Sequence, residues 1–221
     1  LAAALPAMPR VFIIETPVPN AFAVGLKPER ACVAVTRGLL ERLTRDELQG
    51  VIAHELGHIS NRDTLFMTLA GVTLGAIVLL ADFGIRSLLW GGGRRRSSGN
   101  RNGGAAMAVI MIVAIVLAIL APILARLLYF ACSRQREYLA DASAAQFTRY
   151  PAGLANALRK IAMQQDPKQI PVNRVVAPMY AVNPLAAAGS ASLFGTHPPT
   201  EERIRRLMEM QGAAPDAPPI A

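Results

Sequence analysis

The sequence predicts an α+β protein, mainly helical, with a small N-terminal sheet and a transmembrane helical hairpin inserted between two metal-binding helices. Three observations predict it. Residues 10–36 hold three short extended runs punctuated by proline and glycine. Residues 43–59 keep helical spacing around His54-Glu55-Leu56-Gly57-His58. Two uncharged apolar stretches, 64–81 and 105–125, each reach the ~18 residues a membrane span needs.

The chain has 221 residues, enough for one domain with a real core. Net charge is +8 and 52% of residues are hydrophobic. A basic, apolar chain points to a lipid bilayer with an anionic surface rather than to nucleic acid. Cys32 and Cys132 match no metal or redox spacing and read as free thiols or small buried side chains.

Leu1 to Pro9 read as a linker or the end of an earlier helix. Arg10 to Thr16 reads as a buried strand, ended by Pro17 and Pro19. Residues 20–25 and 31–36 supply two further extended pieces, and the edge of such a sheet can bind an extended peptide by strand addition. Simple sheet core explains these strands equally well. Residues 37–43 lead into the next helix, which Thr44 and Glu47 start as a T-x-x-E capping box.

On that helix, His54 and His58 lie one turn apart on one face and can offer two imidazoles to one metal ion. Glu55 stands beside them, within reach of a metal-bound water. The chain has only three histidines, and two are here. A tetrahedral catalytic site needs a third protein ligand. The extended motif H-E-x-x-H-x-x-G-x-x-H of one metalloprotease class is absent, since its glycine and last histidine would fall where Asn61 and Thr64 stand. Asp63 and Asp82 are the acids that follow before Glu137. Glu137 is the best remaining candidate, with His197 as the rival. Glu137 and Asp141 share a helix face, so Asp141 can accept the far ring N–H of a histidine ligand. A surface helix with two solvated acids would look the same.

The apolar stretches carry no charge on any face, unlike amphipathic surface helices. Asp82 falls at the far end of the first, and Pro122 in the second is tolerated in membrane helices. Between them, residues 91–104 form a Gly/Arg-rich loop. If His58 and Glu137 share a metal, the spans must leave and return as a hairpin. Orientation is not set by charge: Arg94, Arg95, Arg96 and Arg101 balance Arg62, Arg126, Arg134 and Arg136. Residues 151–165 predict an amphipathic helix, 166–195 a long loop, and 196–207 a polar turn entering a helix. The predicted organisation is therefore 1–63 (sheet and His-Glu-x-x-His helix), 64–131 (hairpin), 132–211 (third ligand) and a disordered tail, 212–221.

Several patterns occur in order: Pro19-Asn20-Ala21-Phe22-Ala23-Val24-Gly25, His54 to His58 with Asn61-Arg62-Asp63, the paired spans, Glu137-x-x-x-Asp141, and His197-Pro198-Pro199-Thr200-Glu201-Glu202-Arg203-Ile204. Together they resemble the HtpX branch of the membrane gluzincin proteases, a group that also includes the CAAX prenyl proteases. The resemblance covers nearly the whole chain. It implies a zincin-type metalloprotease domain with one Zn2+ per chain on His54, His58 and Glu137, and Glu55 as general base. It implies that Asn20, Ala21 and Phe22 lie on the edge strand beside the substrate. It further implies a multi-pass endopeptidase of the bacterial inner membrane, its active site facing the cytoplasm, degrading misfolded or damaged membrane proteins under stress. Such proteins usually carry two earlier spans, so this chain, starting at Leu1, is expected to be a fragment. His197 is the candidate oxyanion donor, or a turn-capping histidine. Arg203 is a candidate partner for Asp141 or His197. A catalytically silent membrane scaffold and a hydrolase of a non-peptide amide are the alternative readings.

Overall fold

The computed structural model describes residues 3–91, 103–163 and 198–213. Within these the chain is mainly helical with one small sheet, as the sequence predicts. The order is β1 (Arg10–Ile14), β2 (Ala21–Val24), β3 (Cys32–Thr36), α1 (Arg37–Arg42), α2 (Arg45–Ser60), α3 (Asp63–Gly91), α4 (Gly103–Thr148), α5 (Pro151–Met163) and α6 (Thr200–Ala213), with one 3-10 turn at Pro28–Arg30. By its contacts the chain divides into two compact units, residues 68–131 and the remainder.

The sheet has the order β1-β3-β2, with β1 parallel and β2 antiparallel to β3. The turn between β2 and β3 starts at Gly25, whose φ of +140° disfavours any side chain; an added Cβ would also meet the Ala31 backbone. β1 corrects one expectation. It is a strand, but all five of its residues are exposed, including Val11, Phe12, Ile13 and Ile14. A continuous apolar run reads as a doubly covered strand, yet β1 lies at the sheet edge. β3 is the central strand, and Val33, Ala34 and Val35 are buried.

Thr36 joins the sheet to α1. Its hydroxyl accepts the N–H of Asn20 (2.8 Å) and of Leu39 at the start of α1 (3.3 Å), and donates to the Asn20 carbonyl (3.0 Å). The predicted capping box opens α2: Thr44 Oγ1 accepts the Glu47 N–H, and Glu47 Oε2 accepts the Thr44 N–H at 2.8 Å. Lys160 of α5 ties down the same carboxylate at 2.7 Å. α2 and α5 approach closely because both carry glycine at the crossing. A Cβ on Gly50 would lie 2.6 Å from the Leu154 nitrogen, and one on Gly153 2.8 Å from the Asp46 carbonyl oxygen. Val51, Leu154, Leu158, Ile161 and Leu207 complete the core between α2, α5 and α6.

α2 ends at Asn61, and Arg62 takes a left-handed φ of 54°, which breaks the helix and lets α3 begin at Asp63. α3 has 29 residues and α4 has 46, about 43 and 69 Å at 1.5 Å per residue. The hydrophobic core of a bilayer is about 30 Å. Each helix carries an apolar window long enough to cross it, and no residue of either window is buried against protein. Core helices of a soluble fold, by contrast, are mostly buried. Asp82, the one acid late in the first span, pairs with Arg86 one turn on at 2.8 Å. Pro122 sits inside α4 without interrupting it. α6 runs through Ala213, so Gly212 belongs to a helix rather than to the predicted tail. Of the predicted loop 91–104, Gly91 ends α3 and Gly103 and Gly104 begin α4, a correction to its bounds, while 92–102 and the predicted loop 166–195 lie outside the described residues.

Candidate metal centre

α2 carries His54, Glu55 and His58 on its last two turns. The C-terminal part of α4 carries Glu137 and Asp141, and α6 carries Arg203. Gly57 faces Ala140 and Ser143, so α2 and this part of α4 touch almost backbone to backbone. That closeness puts the α4 acids on the histidines.

The two Nε2 atoms stand 3.1 Å apart. Glu137 Oε2 lies 3.8 Å from Nε2 of His54, and Oε1 lies 3.6 Å from Nε2 of His58. Among the described residues, these three side chains form the group whose ligand atoms all fall within 4.8 Å of one another. The outer nitrogens face carboxylates. His54 Nδ1 is 3.0 Å from Asp141 Oδ1, on a bent approach that leaves no well-aligned hydrogen bond. His58 Nδ1 is 2.6 Å from Asp63 Oδ2.

This arrangement fits a metal ion on its own chemistry. Carboxylates only accept hydrogen bonds, so His58 Nδ1 carries the proton that Asp63 accepts, and the Asp141 carboxylate beside His54 Nδ1 favours the same tautomer there, with the proton away from Nε2. Two nitrogen lone pairs and a carboxylate oxygen then converge, a donor set that suits a metal cation, with Arg203 Nη2 3.4 Å from His54 Nε2 at its margin. Tetrahedral bonds of about 2.0–2.2 Å would separate ligand atoms by roughly 3.3–3.6 Å, close to the spacings found.

Asp141 and Arg203 are both 2% exposed. Arg203 donates to Asp141 through Nε (2.8 Å to Oδ2) and Nη2 (2.7 Å to Oδ1), a two-bond fork. Its Nη1 also lies 3.4 Å from Glu137 Oε2. Burial opposes ionisation of Asp141, but Arg203 and His54 outweigh it and hold the carboxyl at about 2. Arg203, against the same burial, is held charged by Asp141, Glu137 and Glu55. Glu55, 5% exposed, behaves oppositely. Burial pushes its pKa up, against the attraction of His58 and His54 and a hydrogen bond from the Ala23 N–H.

That last bond brings β2 to the site. Asn20 bonds its carbonyl to the Thr36 N–H, so in the antiparallel register the peptide groups of Asn20, Phe22 and Val24 face β3. Those of Ala21 and Ala23 face away from β3. The Asn20 side chain and Ala21 are buried. His197 lies outside the described residues. Sequence reasoning did not find three participants: Asp63 as the partner of His58, Arg136, which donates to Asp63 and to the Asn61 carbonyl, and the Ala23 amide. The run Asn61-Arg62-Asp63 was the available signal for the first.

The comparison with known proteins is decided by residues 2–211, which match Peptidase family M48. The chain belongs to peptidase family M48. Among M48-like relatives it is 50% identical over 210 residues to a protein named "Protease HtpX homolog" from Dictyoglomus turgidum, covering 95% of this chain and 66% of that protein. Proteins of the same name from Ligilactobacillus salivarius and Streptococcus pyogenes are 47% and 49% identical over 203 residues, each covering 92% of this chain and 68% of the relative. This M48 chain thus spans about two thirds of the length of the curated relatives it matches. Its fold is similar to that in the crystal structure of S. mikatae Ste24p, with a TM-score of 0.53 at 22% identity, covering 90% of this chain and 46% of that one. At that identity the likeness concerns the fold alone.

Proposed function

We propose that this M48 chain is the catalytic part of a zinc-dependent endopeptidase of the bacterial inner membrane. The observation that carries the proposal is the convergence of the bare Nε2 atoms of His54 and His58 with Glu137, with buried Glu55 beside them. Two imidazoles and one carboxylate leave a fourth tetrahedral position open, the pattern of catalytic zinc. Relatives named as proteases support the peptide bond as target, and the outward edge of β2 at half-buried Ala23 supports an extended polypeptide over a small amide.

Bound zinc supplies the Lewis acidity that makes water nucleophilic near neutral pH. Glu55 takes the proton of the attacking water and returns it to the leaving amine. A carboxyl whose proton affinity is raised by burial suits both halves of that transfer. Asp141 holds His54 in the tautomer that presents Nε2, and Arg203 fixes Asp141. Ala23, half-buried at the outward edge of β2, offers its peptide group to an extended substrate. His197 is the proposed second donor to the carbonyl oxygen as it becomes charged; His197→Ala then lowers kcat by roughly 100-fold or more. The two exposed apolar helices support a place in a bilayer, and misfolded membrane proteins are the proposed substrates, cut from the cytoplasmic side.

The test is cleavage of an unfolded model protein by the detergent-solubilised, zinc-loaded chain beside Glu55→Gln. The parent is expected to cut, and the variant to keep its zinc but not cut. Cleavage by both refutes Glu55 as the base. Zinc retention without cleavage by the parent favours a scaffold.

A further inference from the structure

We infer that Asp63 is the positioning residue for His58, and that Arg136 dictates which hydrogen-bonding group position 63 can present. The inference rests on the metal-centre reading above. Asp63 is the first residue of α3 and is 5% exposed. Its Oδ2 lies 2.6 Å from His58 Nδ1, and its Oδ1 accepts from Nε and Nη2 of Arg136. Arg136 Nη2 also donates to the Asn61 carbonyl, and its guanidinium lies 5.3 Å from the Phe66 ring centre. Arg136 directly precedes Glu137 on α4. One buried carboxylate therefore stands between a histidine of the metal group and a cation beside the third member.

A carboxylate is the one side chain of this size that accepts on both sides. It takes the Arg136 donors with one oxygen and the His58 Nδ1–H with the other, leaving Nε2 bare. Asparagine has the same shape but only one acceptor. The charged guanidinium claims that oxygen, since charge-assisted bonds are about twice as strong as neutral ones. The amide NH2 then turns to His58, Nδ1 must accept, and the ring proton moves to Nε2. A ring protonated there cannot ligate. Asp63→Asn is thus more than the loss of a bond: it installs the wrong tautomer, and Arg136 enforces it. Removing the Arg136 donors frees the asparagine oxygen to turn back.

The experiment measures zinc affinity of the detergent-solubilised full chain by competition with a chelator, with circular dichroism confirming the fold. Asp63→Asn is expected to weaken zinc by roughly 10–100-fold. Asp63→Asn/Arg136→Met is expected to recover most of that loss. Affinity of Asp63→Asn within about threefold of the parent, well below the loss expected of such a partner, overturns the inference. So does a double variant no tighter than the single one. If Asp63→Asn does not fold, 15N resonances of the metal-free parent decide: His58 is expected protonated at Nδ1, and protonation at Nε2 overturns the assignment. A parent that binds no zinc, or that keeps zinc after His54→Ala, sinks the metal-centre reading instead, and the tautomer measurement still judges Asp63.

Discussion

Replacing Asp141 by alanine tests the buried pair that links α4 to α6. The change deletes both acceptors of Arg203, at 2.8 and 2.7 Å, and the carboxylate facing His54 Nδ1. Breaking a buried ion pair from one side costs about 3–5 kcal/mol, because the remaining charge is left uncompensated. Arg203 keeps longer contacts, 3.4 Å to Glu137 Oε2 and 3.4 Å to His54 Nε2 among them, so the cost falls at the lower end, about 3 kcal/mol. For a chain of this size each kcal/mol shifts Tm by about 2–4 °C, giving a fall of roughly 6–12 °C. Calorimetry of the detergent-solubilised chain in chelator reads this without metal binding entering. Asp141→Ala/Arg203→Met removes the stranded charge and is expected to recover most of the lost Tm. A fall of less than about 2 °C, or a double variant no more stable than the single, refutes the reasoning.

Gly50→Ala forces a Cβ to within 2.6 Å of the Leu154 nitrogen, so α5 must move and stability drops by about 1–3 kcal/mol; an unchanged Tm would show that the two helices are not in contact there. Glu137→Ala is expected to lose most bound zinc, measured as metal content after gel filtration; unchanged content moves the third ligand to His197 or Asp63. Glu47 gives a pH signature. Burial opposes its charge, but Lys160 and Thr44 outweigh it and leave the pKa below the ordinary value. The folded state therefore releases this proton more readily than the unfolded chain. Its contribution is full above about pH 4.3 and is lost as pH falls through the lower folded value. Glu47→Gln should cost up to about 1 kcal/mol at pH 7, Lys160 being partly exposed. The gap to the parent should close in acid, and a gap that widens there contradicts the assignment.

What could be read from the sequence depended on the range of the interaction. The capping box of Thr44 and Glu47 and the shared face of His54 and His58 follow from helix periodicity alone. So does the juxtaposition of Glu137 with Asp141, and each pair lies within one helix. The apolar runs announced α3 and α4 because length and lack of charge are local properties. Asp63 was weighed only as a ligand. Its approach to His58 depends on the left-handed turn at Arg62, and five residues is not a helical repeat. The exposure of β1 was misread because an apolar run does not say whether a strand is central or at an edge. The Ala23 amide is a backbone group, and no side-chain pattern could point to it.

The amide of Ala23 also makes β2 a gauge for chain register. Along a strand, amides that face the same way are about 6.6–6.8 Å apart, and here the outward pair belongs to Ala21 and Ala23. One of the pair already serves Glu55 and the other is buried, so a guest strand on the proposed reading shares the Ala23 amide with Glu55. An extended polypeptide then has one favoured seat along the edge. Its position relative to the Glu55 carboxylate is fixed through its backbone, whatever its side chains. An enzyme that measures backbone in this way can cut at a constant offset while accepting many sequences.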